Sequence, residues 1–71
     1  MAKRSRAIPK ASAARILNIA GAERVSDSAA ATFADILEEI AQEISEHAIK
    51  IAKHSGRKTV QGGDIKLAAK D

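Results

Sequence analysis

Cysteine, tryptophan and tyrosine are absent from the chain, and Phe33 is its only aromatic residue. The lack of cysteine excludes disulfides and thiolate metal sites. Proteins that bind single-stranded nucleic acids commonly stack bases on aromatic rings, so this class is disfavoured. No apolar run approaches the roughly 18 to 20 residues of a membrane span, and the basic N-terminus lacks the apolar stretch of a signal peptide. We therefore expect a soluble protein that stays inside the cell.

The length of the chain limits how large a hydrophobic core it can bury. A chain of 71 residues forms one domain at most, and so short a chain has difficulty burying a sufficient core by itself. Small domains usually gain the missing stability from disulfides, a bound metal or a partner chain. Because cysteine is absent, we expect oligomerisation.

Charge is unevenly distributed along the chain, whose net charge is +3. Residues 1–10 carry four basic residues and no acidic one, whereas residues 11–49 carry seven acidic and two basic residues. Residues 50–71 are basic again, with six basic and two acidic residues. Basic ends around an acidic middle suggest one surface for an anionic polymer and another that keeps the protein soluble; an ordinary solvated surface is the alternative.

Apolar periodicity predicts three helices, over residues 11–20, 27–55 and 62–70. In the first, Pro9 precedes the helix, Ser12 is the expected N-cap, and Gly21 suits the left-handed residue that ends a helix. Its apolar stripe consists of Ala13, Ile16, Leu17 and Ala20.

The second helix has the strongest pattern in the chain. Ser26 is a good N-cap, Asp27 complements the helix dipole, and no glycine or proline interrupts before Gly56. At about 43 Å this helix is too long for a compact monomer, so a second copy of the chain is expected to cross it. The stripe contains Phe33, Leu37, Ile40, Ile44, Ala48 and Ile51, and the third helix would pack through Ile65, Leu67, Ala68 and Ala69.

Several stretches resemble the archaeal histones, the minimal relatives of eukaryotic core histones. They are AGAERVSD (residues 20–27), ILEE (36–39), HSGRKTV (54–60) and Asp64-Ile65, and their combined spacing is more specific than any one piece. The resemblance implies an all-α histone fold over residues 8–71, after a short basic tail over residues 1–7. It also implies an intertwined head-to-tail dimer, and dimers that associate through a four-helix bundle and wrap duplex DNA.

The resemblance also assigns candidate DNA-binding residues. Arg24 would insert into the minor groove, where a guanidinium meets concentrated negative potential. Lys58 and Thr59 would contact phosphates. Arg57 would also belong to the DNA-binding set, but its main role would be structural, in an ion pair with Asp64. On the first helix, Arg15 would bind phosphate, helped by backbone N–H groups near Ser12 and Ala13, and Lys10 would add diffuse affinity, like the tail residues Lys3, Arg4 and Arg6.

Other positions concern assembly. Ile51, His54 and Asp64 are expected at the contact between dimers, and Gly21 would allow close stacking of neighbouring layers. Ile19, Asp35 and Gly63 stand at positions where charged residues of the family often pair between stacked dimers, so stacking is expected to be weaker in this chain. Asn18 and Gln61 replace residues that are often basic, which would weaken DNA contact.

Metal binding and catalysis are disfavoured. His47 and His54 share a helix face with only Glu43 as a further ligand, and the acidic run of Glu38, Glu39, Glu43 and Glu46 is expected to be a solvated face. No nucleophile–base set or phosphate loop occurs, so we expect neither enzymatic activity nor a cofactor.

The favoured function is therefore an architectural chromatin protein in the cytoplasm, associated with the chromosome. Its partners would be double-stranded DNA and itself, or a paralogous histone. The alternative is a histone-fold subunit of a heterodimeric transcription factor. A helix-turn-helix regulator is disfavoured because that motif joins two short helices by a tight turn.

Overall fold

Three α-helices account for most of the chain in a computed structural model that describes residues 7–70. They are α1 (Lys10–Ala20), α2 (Asp27–His54) and α3 (Gly62–Lys70), and residues 7–70 contain no strand. The predicted all-α order of short, long and short helices is confirmed, with each boundary within one residue. Within this range no helix is long and apolar enough to cross a membrane. The basic residues Lys3, Arg4 and Arg6 of the expected tail lie outside the described residues.

The start of α1 differs from the prediction. Pro9, not Ser12, is the N-cap; it has an extended backbone (φ −67°, ψ 151°) and makes no capping hydrogen bond through its side chain. Its carbonyl oxygen accepts hydrogen bonds from the N–H groups of Ser12 (3.1 Å) and Ala13 (3.2 Å). Proline is already fixed near a φ suited to this position, and Lys10 and Ala11 are good helix formers, so the helix begins before the serine.

The C-terminal ends of α1 and α2 share one hydrogen-bond pattern. After α1, the N–H of Gly21 donates to Asn18 O (3.0 Å) and that of Ala22 to Leu17 O (3.0 Å). After α2, the N–H of Gly56 donates to Lys53 O and that of Arg57 to Ala52 O, both at 2.9 Å. These are Schellman motifs, and both glycines have positive φ, +123° at Gly21 and +77° at Gly56. The prediction that these glycines end the helices is confirmed.

The start of α2 is capped as predicted. Ser26 Oγ accepts a hydrogen bond from the N–H of Ala29 at 3.0 Å, and Asp27 is the acidic residue of the first turn. Negative charge there interacts favourably with the helix dipole.

The chain divides into two compact units, Met1–Glu39 and Ile40–Asp71. Only alanines form the buried apolar set of the described residues. The first unit buries Ala13, Ala30 and Ala34, and the second buries Ala48, Ala52 and Ala68.

Large apolar side chains are left partly or largely in solvent. Ile19 in the first unit is 79% exposed and Leu67 in the second is 59% exposed. Residues 7–70 contain no large side chain that is fully buried. Of the apolar stripes predicted for α1 and α3, only Ala13 and Ala68 are buried within the single chain. The other exposed large apolar residues are Ile16, Ile36, Ile40, Ile49, Val60 and Ile65.

Candidate nucleic-acid interface

The first loop (residues 21–26) carries Arg24 between two fixed helix ends. The Schellman motif at Gly21 fixes one end, and the Ser26 cap fixes the other. Arg24 itself is exposed. A guanidinium held on a short loop in this way is accessible to an anionic partner.

The second loop (residues 55–61) is organised by an ion pair. Arg57 Nη1 donates to Asp64 Oδ2 at 2.8 Å and Arg57 Nη2 donates to Asp64 Oδ1 at 3.0 Å. Arg57 Nη1 also donates to the carbonyl of Thr59 at 3.1 Å, and the N–H of Gln61 donates to Asp64 Oδ2 at 2.8 Å. The pair expected from the sequence is therefore present and ties the loop to the first turn of α3.

Electrostatics of this pair follow from its hydrogen bonds. Asp64 is the buried charged residue of the second unit, with 4% of its surface exposed. The Arg57 hydrogen bonds, followed by the Gln61 N–H, lower the pKa of Asp64 to about 2, although burial opposes the shift. The same hydrogen bond with Asp64 raises the pKa of Arg57. Arg57 is thus committed to loop structure, and its guanidinium has fewer donors left for DNA.

Lys58 and Thr59 are exposed beside this pair. The carbonyl of Thr59 accepts from Arg57, so the backbone of the loop is fixed while both side chains face solvent. An ammonium and a hydroxyl in adjacent positions suit phosphate oxygens.

On α1 the structure supports only part of the predicted phosphate site. Arg15 and Ser12 are exposed, but the N–H groups of Ser12 and Ala13 already donate to Pro9 O. The N–H groups of these two residues are therefore already engaged within the helix start. The helix start nevertheless leaves the N–H groups of its first two residues outside the α-helical pattern.

Lys10 has a partner that sequence reasoning missed. Its Nζ lies 3.0 Å from Asp27 Oδ1 and 3.2 Å from Asp27 Oδ2. The N–H of Ala7 also donates to Glu38 Oε2 at 3.2 Å. Neither contact has a sequence signal, because the partners are 17 and 31 residues apart and no local spacing rule joins them.

Two of the three residues expected at the contact between dimers lie in one groove of the single chain. Ile51 and His54 line an open groove in the second unit, with Lys50, Ser55 and Leu67. Asp64 is not among the lining residues, and its oxygens accept from Arg57 and Gln61. Gly21, the expected stacking position, is exposed, and a Cβ built there would meet no atom within 4 Å.

Histidine and carboxylate side chains do not assemble into a metal-binding group within residues 7–70. His47 and Glu43 instead line another groove of the second unit, beside Ile40, Ile44 and Ala68.

Comparison with known proteins gives the family. A family model described as "Histone-like transcription factor (CBF/NF-Y) and archaeal histone" matches residues 6–69. The chain belongs to this histone-fold family. It is 48% identical to a subunit of the archaeal histone HAN1 from Thermococcus zilligii over 63 residues, which cover 89% of this chain and 94% of that protein. It is also 51% identical to probable archaeal histone 3 of Methanocaldococcus jannaschii over 61 residues, which cover 86% and 91% respectively.

Membership of the histone-fold family supports a structural, DNA-binding role associated with the chromosome, rather than an enzymatic one. It also accounts for the resemblance noted in both loops. The exposed basic side chains of those loops, Arg24 and Lys58, are therefore the leading candidates for contact with DNA.

Proposed function

We propose that two copies of the chain form an intertwined head-to-tail dimer that binds and wraps double-stranded DNA with little sequence preference, so compacting the genome. The observation that carries this proposal is the common design of the two loops. In each loop a helix-ending glycine, Gly21 or Gly56, precedes an exposed basic residue, Arg24 or Lys58. Such loops present positive charge at fixed positions, as backbone-directed DNA binding requires.

Burial supports the dimer. The described residues bury alanines and leave Leu67 and several isoleucines in solvent. Removing such apolar area from water is the main driving force for association, and a second copy supplies a matching set of apolar faces. In this proposal, residues 8–71 become a single histone-fold domain only in the dimer, and residues 1–7 form a basic tail.

DNA contact would be mainly electrostatic. Arg24 would enter the minor groove, which arginine reads by shape and potential rather than by base identity. Lys58, Thr59 and Arg15 would hold phosphates, with Ser12 and Lys10 beside them on α1. Each neutralised phosphate releases counterions, so affinity should fall steeply as salt increases.

Nuclease digestion of the purified protein, reconstituted on long mixed-sequence duplex DNA, tests this proposal. A ladder of protected lengths in regular steps would mean that dimers add one by one into a continuous wrapped assembly. A single protected length would mean a closed particle, with Ile19, Asp35 and Gly63 as the positions that stop growth. No protection by a folded protein would contradict wrapping by this chain alone.

A heterodimer is the second candidate function. The Thermococcus zilligii relative is named as one subunit of a histone, and the family description includes transcription factors, which favour a different chain as the partner. In that case the purified chain would be unfolded or aggregated and would fold when a paralogous histone-fold chain is added. A stable homodimer that binds DNA would rule out this candidate.

A further inference from the structure

Lys10, the first residue of α1, is already held by a carboxylate. The ammonium lies within 3.0 and 3.2 Å of the two carboxylate oxygens of Asp27, the first residue of α2. Both side chains face solvent, with 46% of the lysine and 84% of the aspartate exposed. The pair therefore joins two helix starts on an accessible surface of the first unit.

This surface is also where DNA is expected. Asp27 directly follows the first loop, which carries Arg24, and Lys10 precedes Arg15 on α1. A phosphate that reaches the first loop and the start of α1 thus meets a lysine whose charge is already compensated. The start of α2 does not depend on this pair, because Ser26 caps it independently.

We propose that Asp27 competes with DNA phosphate for Lys10, holding the ammonium in the free protein and releasing it when a duplex binds. This inference rests on the proposed DNA binding. An ion pair between exposed side chains is weak and readily exchanged, whereas duplex DNA presents one negative charge per about 1.7 Å of its axis. The competition lowers affinity and lets a single carboxylate regulate how tightly α1 engages the DNA backbone.

A double-mutant cycle on one mixed-sequence duplex tests the competition. Wild type, Asp27→Asn, Lys10→Met and the double variant are compared by their dissociation constants at about 0.1 M salt, where charge interactions reach about 10 Å. Asp27→Asn should tighten binding about fivefold when Lys10 is present and no more than about twofold in Lys10→Met, because only the first change frees an ammonium. Urea unfolding of all four proteins verifies that each is folded.

Glu23→Gln is the matched control, since it removes the same charge from the first loop while Lys10 stays paired with Asp27. It should change affinity equally with and without Lys10. If Asp27→Asn behaves like this control, Asp27 acts only through net charge and the inference is overturned while DNA binding stands. If folded wild type does not bind the duplex, the inference and the proposed function both fail.

Discussion

Two arginines in similar loops have different surroundings. Arg57 makes hydrogen bonds to both oxygens of Asp64 and to the carbonyl of Thr59. Arg24 is exposed on the first loop. One guanidinium therefore stabilises a loop, and the other is exposed to solvent. Substitutions at these two positions should affect different measurable properties.

Arg24→Ala should weaken duplex binding by about tenfold, the equivalent of about 1.4 kcal/mol. It should do so across sequences, because contacts with backbone and groove shape carry little base information. The logarithm of the binding constant falls linearly with the logarithm of the salt concentration, and the magnitude of this slope should decrease by about one for each lost contact. A fluorescence anisotropy titration at several salt concentrations measures both. Lys66→Ala removes the same charge from an exposed position on α3, and equal losses in the two variants would contradict a specific role for Arg24.

Asp64→Asn should make the free energy of unfolding less dependent on pH under acidic conditions. The pKa of Asp64 is lowered from 3.8 to about 2 in the folded protein. Its carboxylate therefore stabilises the fold fully above about pH 4, and this contribution is lost as pH falls towards 2. The difference in unfolding free energy between wild type and variant should shrink over that range, as measured by urea unfolding at fixed pH values.

Arg57→Gln should have an intermediate effect on the pH dependence of the free energy of unfolding. It removes the largest cause of the pKa shift but leaves the Gln61 N–H in place, so its pH dependence should lie between those of wild type and Asp64→Asn. Parallel profiles for wild type and Asp64→Asn from pH 6 to pH 2 would show that the pair does not contribute in this way.

At the scale of the element, the helix ends determine where both loops begin. Gly21 and Gly56 adopt positive φ, and the N–H groups that follow bond back to the last turn of each helix. A side chain would meet no atom within 4 Å at either glycine. The requirement for glycine is therefore conformational and not steric.

Gly56→Ala should lower the unfolding free energy by about 1 kcal/mol, because a Cβ disfavours the left-handed backbone. Gly56→Asn should recover part of this loss, since asparagine tolerates the same conformation. Gly63→Ala is the control, and it should raise the free energy of unfolding. Gly63 lies inside α3 without positive φ, and alanine is favoured there by up to about 1 kcal/mol. Chemical unfolding monitored by circular dichroism measures all three, and equal effects of the two alanine variants would contradict the argument.

Sequence periodicity and turn chemistry predicted the helices and three of the four caps at their ends in α1 and α2. The wrong N-cap prediction at Ser12 has a local cause. A serine hydroxyl is a favoured N-cap group, but Pro9 already provides the extended residue that precedes the helix. The Lys10–Asp27 and Ala7–Glu38 contacts depend on how α1 approaches α2. Spacing within one segment carries no such information. The sequence predicts two roles for Asp64; its pairing with Arg57 in the second loop is present, and its contact between dimers stays a prediction.

For the whole molecule, the balance of buried and exposed apolar residues is the decisive property. The described residues bury six alanines, while eight larger apolar side chains are exposed. A chain of this size has little other means of stabilisation, because it lacks cysteine and short domains bury a small share of their surface. Stability should therefore be linked to association.

The melting temperature should rise with protein concentration if folding and dimer formation are coupled. Circular dichroism melts over roughly a hundredfold range of concentration test this, with sedimentation equilibrium giving the mass of the folded species. Leu67→Ser should steepen the loss of structure on dilution, whereas Ala22→Ser, in the first loop, should not. A melting temperature independent of concentration, with a monomeric mass, would contradict the proposed dimer.

An interior made of alanines also limits how the sequence can vary. Truncation of a large core side chain leaves a cavity, but Ala34, Ala48 and the other buried alanines have almost nothing to truncate. Nearly every substitution at these positions adds volume, and added volume forces neighbouring backbones apart. Within one chain, harmful mutations should therefore be enlargements at the smallest residues. Truncation of the exposed larger side chains should instead weaken assembly, because the proposed dimer would cover them. Enlargement of a buried alanine would then impair folding, and truncation of an exposed apolar side chain would impair association.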